Sequence, residues 1–360
     1  MSLISKCYIA TMLLLALISK AESRQSKQDS TIFKALPLAY FTPETRIAAE
    51  GFAFYSFYAN KSQRKSNLRM FVTYTQNKQY LLILPWQVYT SGDQYFLKGS
   101  IDYRKFPEYY YGLGNNTKEA SRALYEFKAL TFTSKSYKRL KKDTYIGLAL
   151  RGQWLEPKFP EMEPLFADVM EGNGREGYSY VGFGPSMMWD KRDHILSPSS
   201  GSFIEFTPLI GLGKSNHSAL NFGLLSMDIR HYLALSDHIT WANQLLTQLS
   251  FGDVPFRTLP TLGGPFLHRG YYQGRFRDNH SAIVQSEYRQ HVIGRFGFVV
   301  FGSAGRVYQS LKEKLYKNIH LAAGGGLRVR ISKKDRTNVR LDYSFTSDSR
   351  GFYIYFAEAF

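Results

Sequence analysis

The feature that most limits this 360-residue chain is an alternation of apolar and polar residues with a period of two, repeated along most of its length. From Tyr145 the sequence sets Ile146, Leu148, Leu150 and Trp154 on one face and Gly147, Ala149, Arg151 and Gln153 on the other. The split recurs as Ile204, Phe206, Ile210 and Leu212 against Glu205 and Thr207, and as Leu321, Leu327, Val329 and Ile331 against Arg328 and Arg330. It returns as Val339, Leu341, Tyr343 and Phe345 against Asn338, Arg340, Asp342 and Ser344. Successive side chains leave a strand on opposite faces, whereas a helix repeats every 3.6 residues, so these runs predict strands. No amphipathic helix of any length competes with them.

About sixteen such runs can be drawn, at 36–42, 46–58, 67–77, 78–89, 94–104, 121–133, 143–154, 177–190, 201–213, 218–234, 238–251, 281–292, 295–304, 318–331, 336–346 and 351–360. A tilted strand needs roughly 9–11 residues to cross hydrocarbon. With a periplasmic N-terminus, the long connections 105–120, 155–176, 252–280 and 305–317 fall outside the cell, and the opposite ones are mostly shorter. An even strand count with long loops on one side is the arrangement of a membrane β-barrel. A hydrophobic share of 44% suits a soluble protein as well as a barrel with a wet lumen, but an aromatic share of 16% favours the barrel, because aromatic girdles mark both membrane interfaces. After the first residues no apolar run approaches the 18 or so that a spanning helix requires.

Lys6, an apolar run from Tyr8 to Ile18 and small residues at Ser19, Ala21 and Ser23 have the layout of an export signal over 1–23. A short periplasmic segment, 24–35, and a barrel over 36–360 follow. The single cysteine, Cys7, precedes the apolar run, so the exported chain would hold no disulfide and no thiolate metal site.

Between two strand-like runs stands a glycine-punctuated segment, Leu262-Gly263-Gly264-Pro265-Phe266-Leu267-His268-Arg269-Gly270-Tyr271, continuing to Asp278. Loops of this length inside a compact fold are usually functional or disordered. With it occur Tyr111-Gly112-Leu113-Gly114-Asn115, Trp189-Asp190-Lys191-Arg192-Asp193 followed by Pro198-Ser199-Ser200-Gly201, and Glu287-Tyr288-Arg289. Further on come Phe301-Gly302-Ser303-Ala304-Gly305, Gly326-Leu327-Arg328, Leu341-Asp342-Tyr343 and Ala357-Glu358-Ala359-Phe360. In this order the segments resemble the BamA/TamA family of outer-membrane barrels, the bacterial surface antigens, from about Leu36 onward. Members that assemble or secrete proteins carry periplasmic POTRA domains ahead of the barrel, and the residues from Arg24 to Ala35 leave no room for one.

The resemblance implies that Arg269, Gly270 and Tyr271 lie in an external loop folded into the lumen, with Arg269 reaching acids on the two strands that follow. Glu287 matches the first acid; Ser303 matches the second and is not acidic, so Asp342 is the candidate to rewire the lock. It further implies a structural periplasmic turn through Asp190, Arg192, Asp193, Pro198 and Gly201. The closing strand, with Phe352, Ile354, Phe356 and Phe360 on one face, would be an insertion signal read by the barrel-assembly machinery during biogenesis. Some members kink this strand at a glycine, and none stands between Phe352 and Phe360.

The formal charge of +17 gathers partly at Lys138, Arg139, Lys141 and Lys142, assigned to a periplasmic connection. Such a rim either attracts anionic outer-membrane lipids, docks an acidic periplasmic or lipoprotein subunit, or is a solvated edge. Nucleic acid is not expected as a partner of an exported barrel. Catalysis is not expected either: the eight histidines show no metal-ligand spacing, no metal or other cofactor is implied, and His194 beside Ser197, Ser199 and Ser200 falls within the structural turn. The resulting expectation is an all-β transmembrane antiparallel barrel that assists insertion or translocation of an envelope protein or lipid. The alternatives are a pore for small solutes and a structural surface protein.

Overall fold

The computed structural model describes residues 31–42, 46–59, 62, 64–159, 174, 176–215, 218–332 and 336–360; the expected export signal lies outside them. One sixteen-stranded sheet contains nearly all the regular structure, each strand antiparallel to the next. Its first half is β1 (Ile32–Thr42), β2 (Arg46–Tyr58), β3 (Lys65–Thr75), β4 (Tyr80–Tyr89), β5 (Tyr95–Tyr110), β6 (Ala123–Lys141), β7 (Thr144–Lys158) and β8 (Tyr178–Asp190). Its second half is β9 (Gly201–Ser215), β10 (Ala219–Ser236), β11 (Ile239–Gly252), β14 (His280–Ile293), β15 (Phe296–Tyr308), β16 (His320–Ser332), β17 (Thr337–Thr346) and β18 (Arg350–Phe356). Two residues each of β12 (Thr261–Leu262) and β13 (Phe276–Arg277) pair as a separate hairpin inside the connection between β11 and β14.

The sheet curls into a barrel that brings its two edges together. Phe52 of β2 stacks on Phe356 of β18 with ring centroids 4.1 Å apart, and Lys34 Nζ of β1 donates to the Ile331 carbonyl of β16 at 3.3 Å. Among the described residues no backbone ladder joins β1 to β18, so side chains bridge the seam.

The apolar face of the strands is the outer one. Leu148 is 67% exposed, Leu150 47% and Ile210 59%, while the polar partners Gln153, Glu205 and Thr207 are buried. A soluble protein reverses that order, and contiguous apolar surface on this scale is not left in water. Strands answer the membrane's demand that every backbone polar group find a partner within the protein. No helix among the described residues is long and apolar enough to cross a membrane.

Four strand boundaries differ from the periodicity. β1 starts at Ile32 and not at 36, so the expected 24–35 segment is partly strand. β5 runs to Tyr110 and β6 to Lys141, well beyond 104 and 133, because hydrogen bonding continues past the membrane edge where apolar residues give way to charged ones. Lys138 pairs with Tyr95 and Ile146 across the ladder. Lys138, Arg139 and Lys141 are therefore strand residues, and of the four basic residues only Lys142 lies in the turn. All four are exposed, and Arg139 Nη2 donates to the Gly92 carbonyl at 2.9 Å. Finally, β18 stops at Phe356, where Ala357 takes a φ of 64° and turns the chain inward.

The outward placement of Leu148 generates a direct test. A charge near the bilayer midplane on the lipid face of a barrel costs about 2–4 kcal/mol, whereas an exposed substitution in a soluble protein stays within about 0.5 kcal/mol. Leu148→Arg is expected to lower stability by the larger amount when folding is titrated with denaturant in phospholipid vesicles.

Candidate functional site

The connection 253–279 leaves the end of the barrel that carries the long loops and folds into the lumen. Phe256 and Leu259 join Tyr125, Phe127, Tyr178, Tyr180 and Phe222 in one apolar cluster on the inner faces of β6, β8 and β10. On the opposite wall Leu262, Tyr271 and Phe276 pack on Leu246, Ile283, Val307 and Ala322. Polar ties follow the same path: Arg257 Nη2 meets Glu108 Oε2 at 2.6 Å, and Arg275 Nε meets Glu119 Oε2 at 2.9 Å. The Tyr111–Asn115 segment closes over the hairpin. Gly114 N donates to Arg277 O at 2.7 Å, and Asn115 Oδ1 accepts from Val307 N at 3.0 Å.

At the tip of the loop Arg269 is 2% exposed. Its Nη1 donates to Asp342 Oδ2 at 2.6 Å, its Nη2 to Glu287 Oε1, and its Cζ lies 3.5 Å from the centre of the Phe301 ring. A buried guanidinium requires this: two carboxylates offset its desolvation and the ring face adds cation–π attraction. The carboxylates are themselves shared. Arg289 Nε donates to Glu287 Oε2 at 2.7 Å, Arg328 Nη1 to Asp342 Oδ1 at 2.6 Å, and Arg340 Nη1 to Asp342 Oδ2 at 3.0 Å.

Two glycines make room for this arrangement. Gly270 has φ 114°, and a Cβ there would stand 2.7 Å from Thr346 Cγ2; its N–H donates to Tyr353 Oη at 3.0 Å. A Cβ on Gly326 would overlap the Asp342 carboxylate and the Leu341 carbonyl. The Gly326-Leu327-Arg328 motif thus pairs a gap for the carboxylate with the arginine that binds it. Tyr271 is buried, and its hydroxyl donates to Leu321 O at 3.2 Å.

A family model for the Omp85 superfamily domain matches residues 55–354. The chain belongs to the Omp85 superfamily. Among solved structures this Omp85 barrel is similar to BamA from Haemophilus ducreyi lacking POTRA domains 1–3. That match has 14% identity and a TM-score of 0.58, and covers 91% of this chain and 69% of that one. CdiB from Acinetobacter baumannii matches at 12% identity and TM-score 0.53, covering 92% of this chain and 60% of that chain. CdiB from Escherichia coli matches at 10% identity and TM-score 0.57, covering 92% and 63%. The chain therefore spans less than two thirds of the length of either CdiB. No curated protein matches. Family and fold together make this a bacterial outer-membrane β-barrel and support a general place in outer-membrane insertion or translocation.

Ser303, aligned with a family acid, does not touch Arg269 in this Omp85 barrel. Its Oγ lies 2.9 Å from His268 Nδ1, because Arg269 reaches across to β17 for its second carboxylate and leaves β15 to the neighbouring histidine. His268 N also donates to Gln285 Oε1 at 2.9 Å. Neither His268 nor Gln285 carries a sequence signal, since each acquires its role only when β14, β15 and the loop meet.

The closing segment departs from the expected single face. Phe352 and Ile354 point outward, at 54% and 42% exposed, whereas Phe360 is buried at 5% beside Tyr232 and Ala242. The turn at Ala357 supplies an inward bend without a glycine, at a local cost of about 1–2 kcal/mol for a left-handed residue with a side chain. Glu358 then takes Arg328 Nε at 2.7 Å and Asn338 Nδ2 at 2.7 Å, and its N–H donates to Leu196 O at 3.2 Å. Leu196 belongs to the 191–200 turn. There Arg192 makes a two-point pair with Asp190 at 2.8 and 2.9 Å, and Gly201 adopts φ 99°. Asp193 accepts from Ser199 N at 2.9 Å and Ser200 N at 3.1 Å, while Pro198 helps to line a recess beside it. Burial alone would raise the Asp193 carboxyl, but these hydrogen bonds and Arg336 bring it below its ordinary range. His194 Nδ1 accepts from Leu196 N and Ser197 N, both at 3.2 Å, which makes it a turn residue. Among the described residues no three His, Cys, Asp or Glu side chains are grouped to hold a metal ion.

Arg269→Ala leaves Glu287 and Asp342 facing each other's field without their shared cation. A loss of about 3–5 kcal/mol is expected for removing one partner of a buried pair, read as a lower denaturant midpoint and as protease cleavage within 253–279. Gly326→Ala should release the loop in the same way without altering it, by displacing Asp342.

Burial, with a smaller contribution from His320, pushes the His268 imidazole down to about 3. The unfolded chain takes up this proton near 6.5, so the stabilisation is complete above that pH and is lost as pH falls toward 3. Protease cleavage of the loop is expected to rise over that window, and His268→Gln should flatten the histidine-dependent part of the rise.

Proposed function

We propose that this Omp85 barrel assists the insertion or translocation of an envelope component, protein or lipid, and that release of the Arg269 latch is the step that opens its path. One observation carries this: the latch is built on β14, β16 and β17, close to the seam, and no backbone ladder among the described residues joins β1 to β18. Side-chain contacts part more readily than a row of backbone hydrogen bonds, and a loop held by ion pairs has two discrete states, in or out. Outer-membrane lipids surround the seam, and a separate periplasmic or lipoprotein subunit is the partner we assign to the open end. Like the other barrels of its membrane, the protein would itself be inserted by the barrel-assembly machinery. The reading contains no catalytic step.

The test places a photo-crosslinking residue at Leu36, on β1, in the native membrane. Crosslinks to an envelope protein or lipid that increase in Arg269→Ala, together with a stoichiometric periplasmic subunit on mild-detergent purification, are expected. Steady single-channel conductance from the wild-type protein, with crosslinks no different from those at a position far from the seam, overturns the reading in favour of a solute pore.

A further inference from the structure

Five arginines converge where the lumen meets the turn end of the barrel. Arg289, Arg295, Arg328, Arg330 and Arg336 line one recess of about 230 Å³ together with only two carboxylates, Asp237 and Glu358. The recess is assembled from the tips of the β8–β9, β10–β11, β14–β15 and β16–β17 connections and the inward-turned segment after β18, so no single stretch of sequence announces it.

The arginines are not equivalent. Arg289 gives Nε to Glu287 and Nη2 to the main-chain oxygen of Phe360 at 3.0 Å, and Arg328 gives Nε to Glu358 and Nη1 to Asp342. These two are 8% and 5% exposed, and their positions are set by the latch. Each keeps one nitrogen that no protein acceptor reaches, Arg289 Nη1 and Arg328 Nη2. Arg330 lies two residues along from Arg328, on the same face of β16. Its Nε is also without an acceptor, and among the described residues no carboxylate stands within ion-pairing distance of it. Arg336 is held at the rim by Asp193 at 2.7 Å.

Cations outnumber carboxylates here, and the low-dielectric wall focuses their field on the space between them. Guanidinium groups with donors to spare, held in place beforehand, match the oxygens of a phosphate better than any neutral ligand. From this geometry we infer that the recess is a binding site for a phosphate group, presented either as a phospholipid headgroup or as a free phosphate ester entering from the periplasm. The site stands apart from the proposed insertion role: it requires only the recess, and it would exist in a barrel that moved nothing.

The experiment uses the full-length protein in a zwitterionic detergent at low salt, titrated calorimetrically with inorganic phosphate, glycerol 3-phosphate and dihexanoyl-phosphatidylglycerol below its micelle concentration. Saturable binding is expected, weakened at least about tenfold by Arg330→Gln and by Arg295→Gln, as loss of one charge-assisted hydrogen bond implies. Arg104→Gln, elsewhere on the lumen wall, should leave it unchanged. Tighter binding of the lipid than of the two soluble phosphates identifies a headgroup site, and equal binding a free-phosphate site; both uphold the proposal. It is overturned if none of the three binds, if Arg330→Gln and Arg295→Gln bind as the wild type does, or if hexaglutamate displaces every phosphate. Should the variants fail to fold, phenylglyoxal labelling of the wild type decides: phosphate is expected to protect Arg330, and labelling unaffected by phosphate sinks the idea.

Discussion

A guanidinium cannot stand inside a barrel wall without carboxylates around it, and the placement of Arg269 organises much of this structure. Its two acids come from β14 and β17, so the loop tip holds together strands that are not neighbours in the ladder. The acids are shared in turn with Arg289, Arg328 and Arg340, which gives four cations to the three carboxylates Glu287, Asp342 and Glu358. The excess positive charge is offset by ring faces and main-chain oxygens: Phe301 under Arg269, and the Pro265 carbonyl 2.8 Å from Arg340 Nη2. Such networks do not stabilise a fold more than apolar packing would, but they make one arrangement much better than its neighbours. A latch needs that property.

The same network ties the two ends of the barrel together. Glu358 reaches Arg328, Arg328 reaches Asp342, and Asp342 reaches Arg269, so the segment beyond β18 on the turn side is linked by ion pairs to a loop that enters from the other side. The inward bend at Ala357 is what brings Glu358 within range. Had the strand run straight on, its last residues would have continued along the barrel wall, away from the lumen. The arginine recess lies beside this chain of contacts and uses donors left over from it, so latch and recess share Arg289 and Arg328.

The fold was legible because membrane barrels write their outside and inside on alternate residues. Leu148, Ile210 and Leu321 mark the lipid face directly, and the family motifs fall where the lumen contacts are made. Legibility failed where the cause was not periodic. β6 outruns its apolar pattern because backbone pairing needs no lipid. Phe360 leaves the outer face because a backbone turn at an alanine, which no residue pattern signals, redirects the chain. Ser303 met His268 because the reach of Arg269 across the lumen is a matter of distance between strands.

By itself, then, the order of residues determined the class of fold, the number of strands, the side that faces lipid and the loop that carries the arginine, since each depends on local periodicity or on a contiguous motif. Tertiary structure alone decided which acids that arginine meets, which serine and histidine pair, how the closing segment turns, and that five arginines from separate hairpins border one recess. Those choices depend on side chains distant in sequence arriving at the same few ångströms, which the closing of a sheet brings about and a linear pattern does not encode.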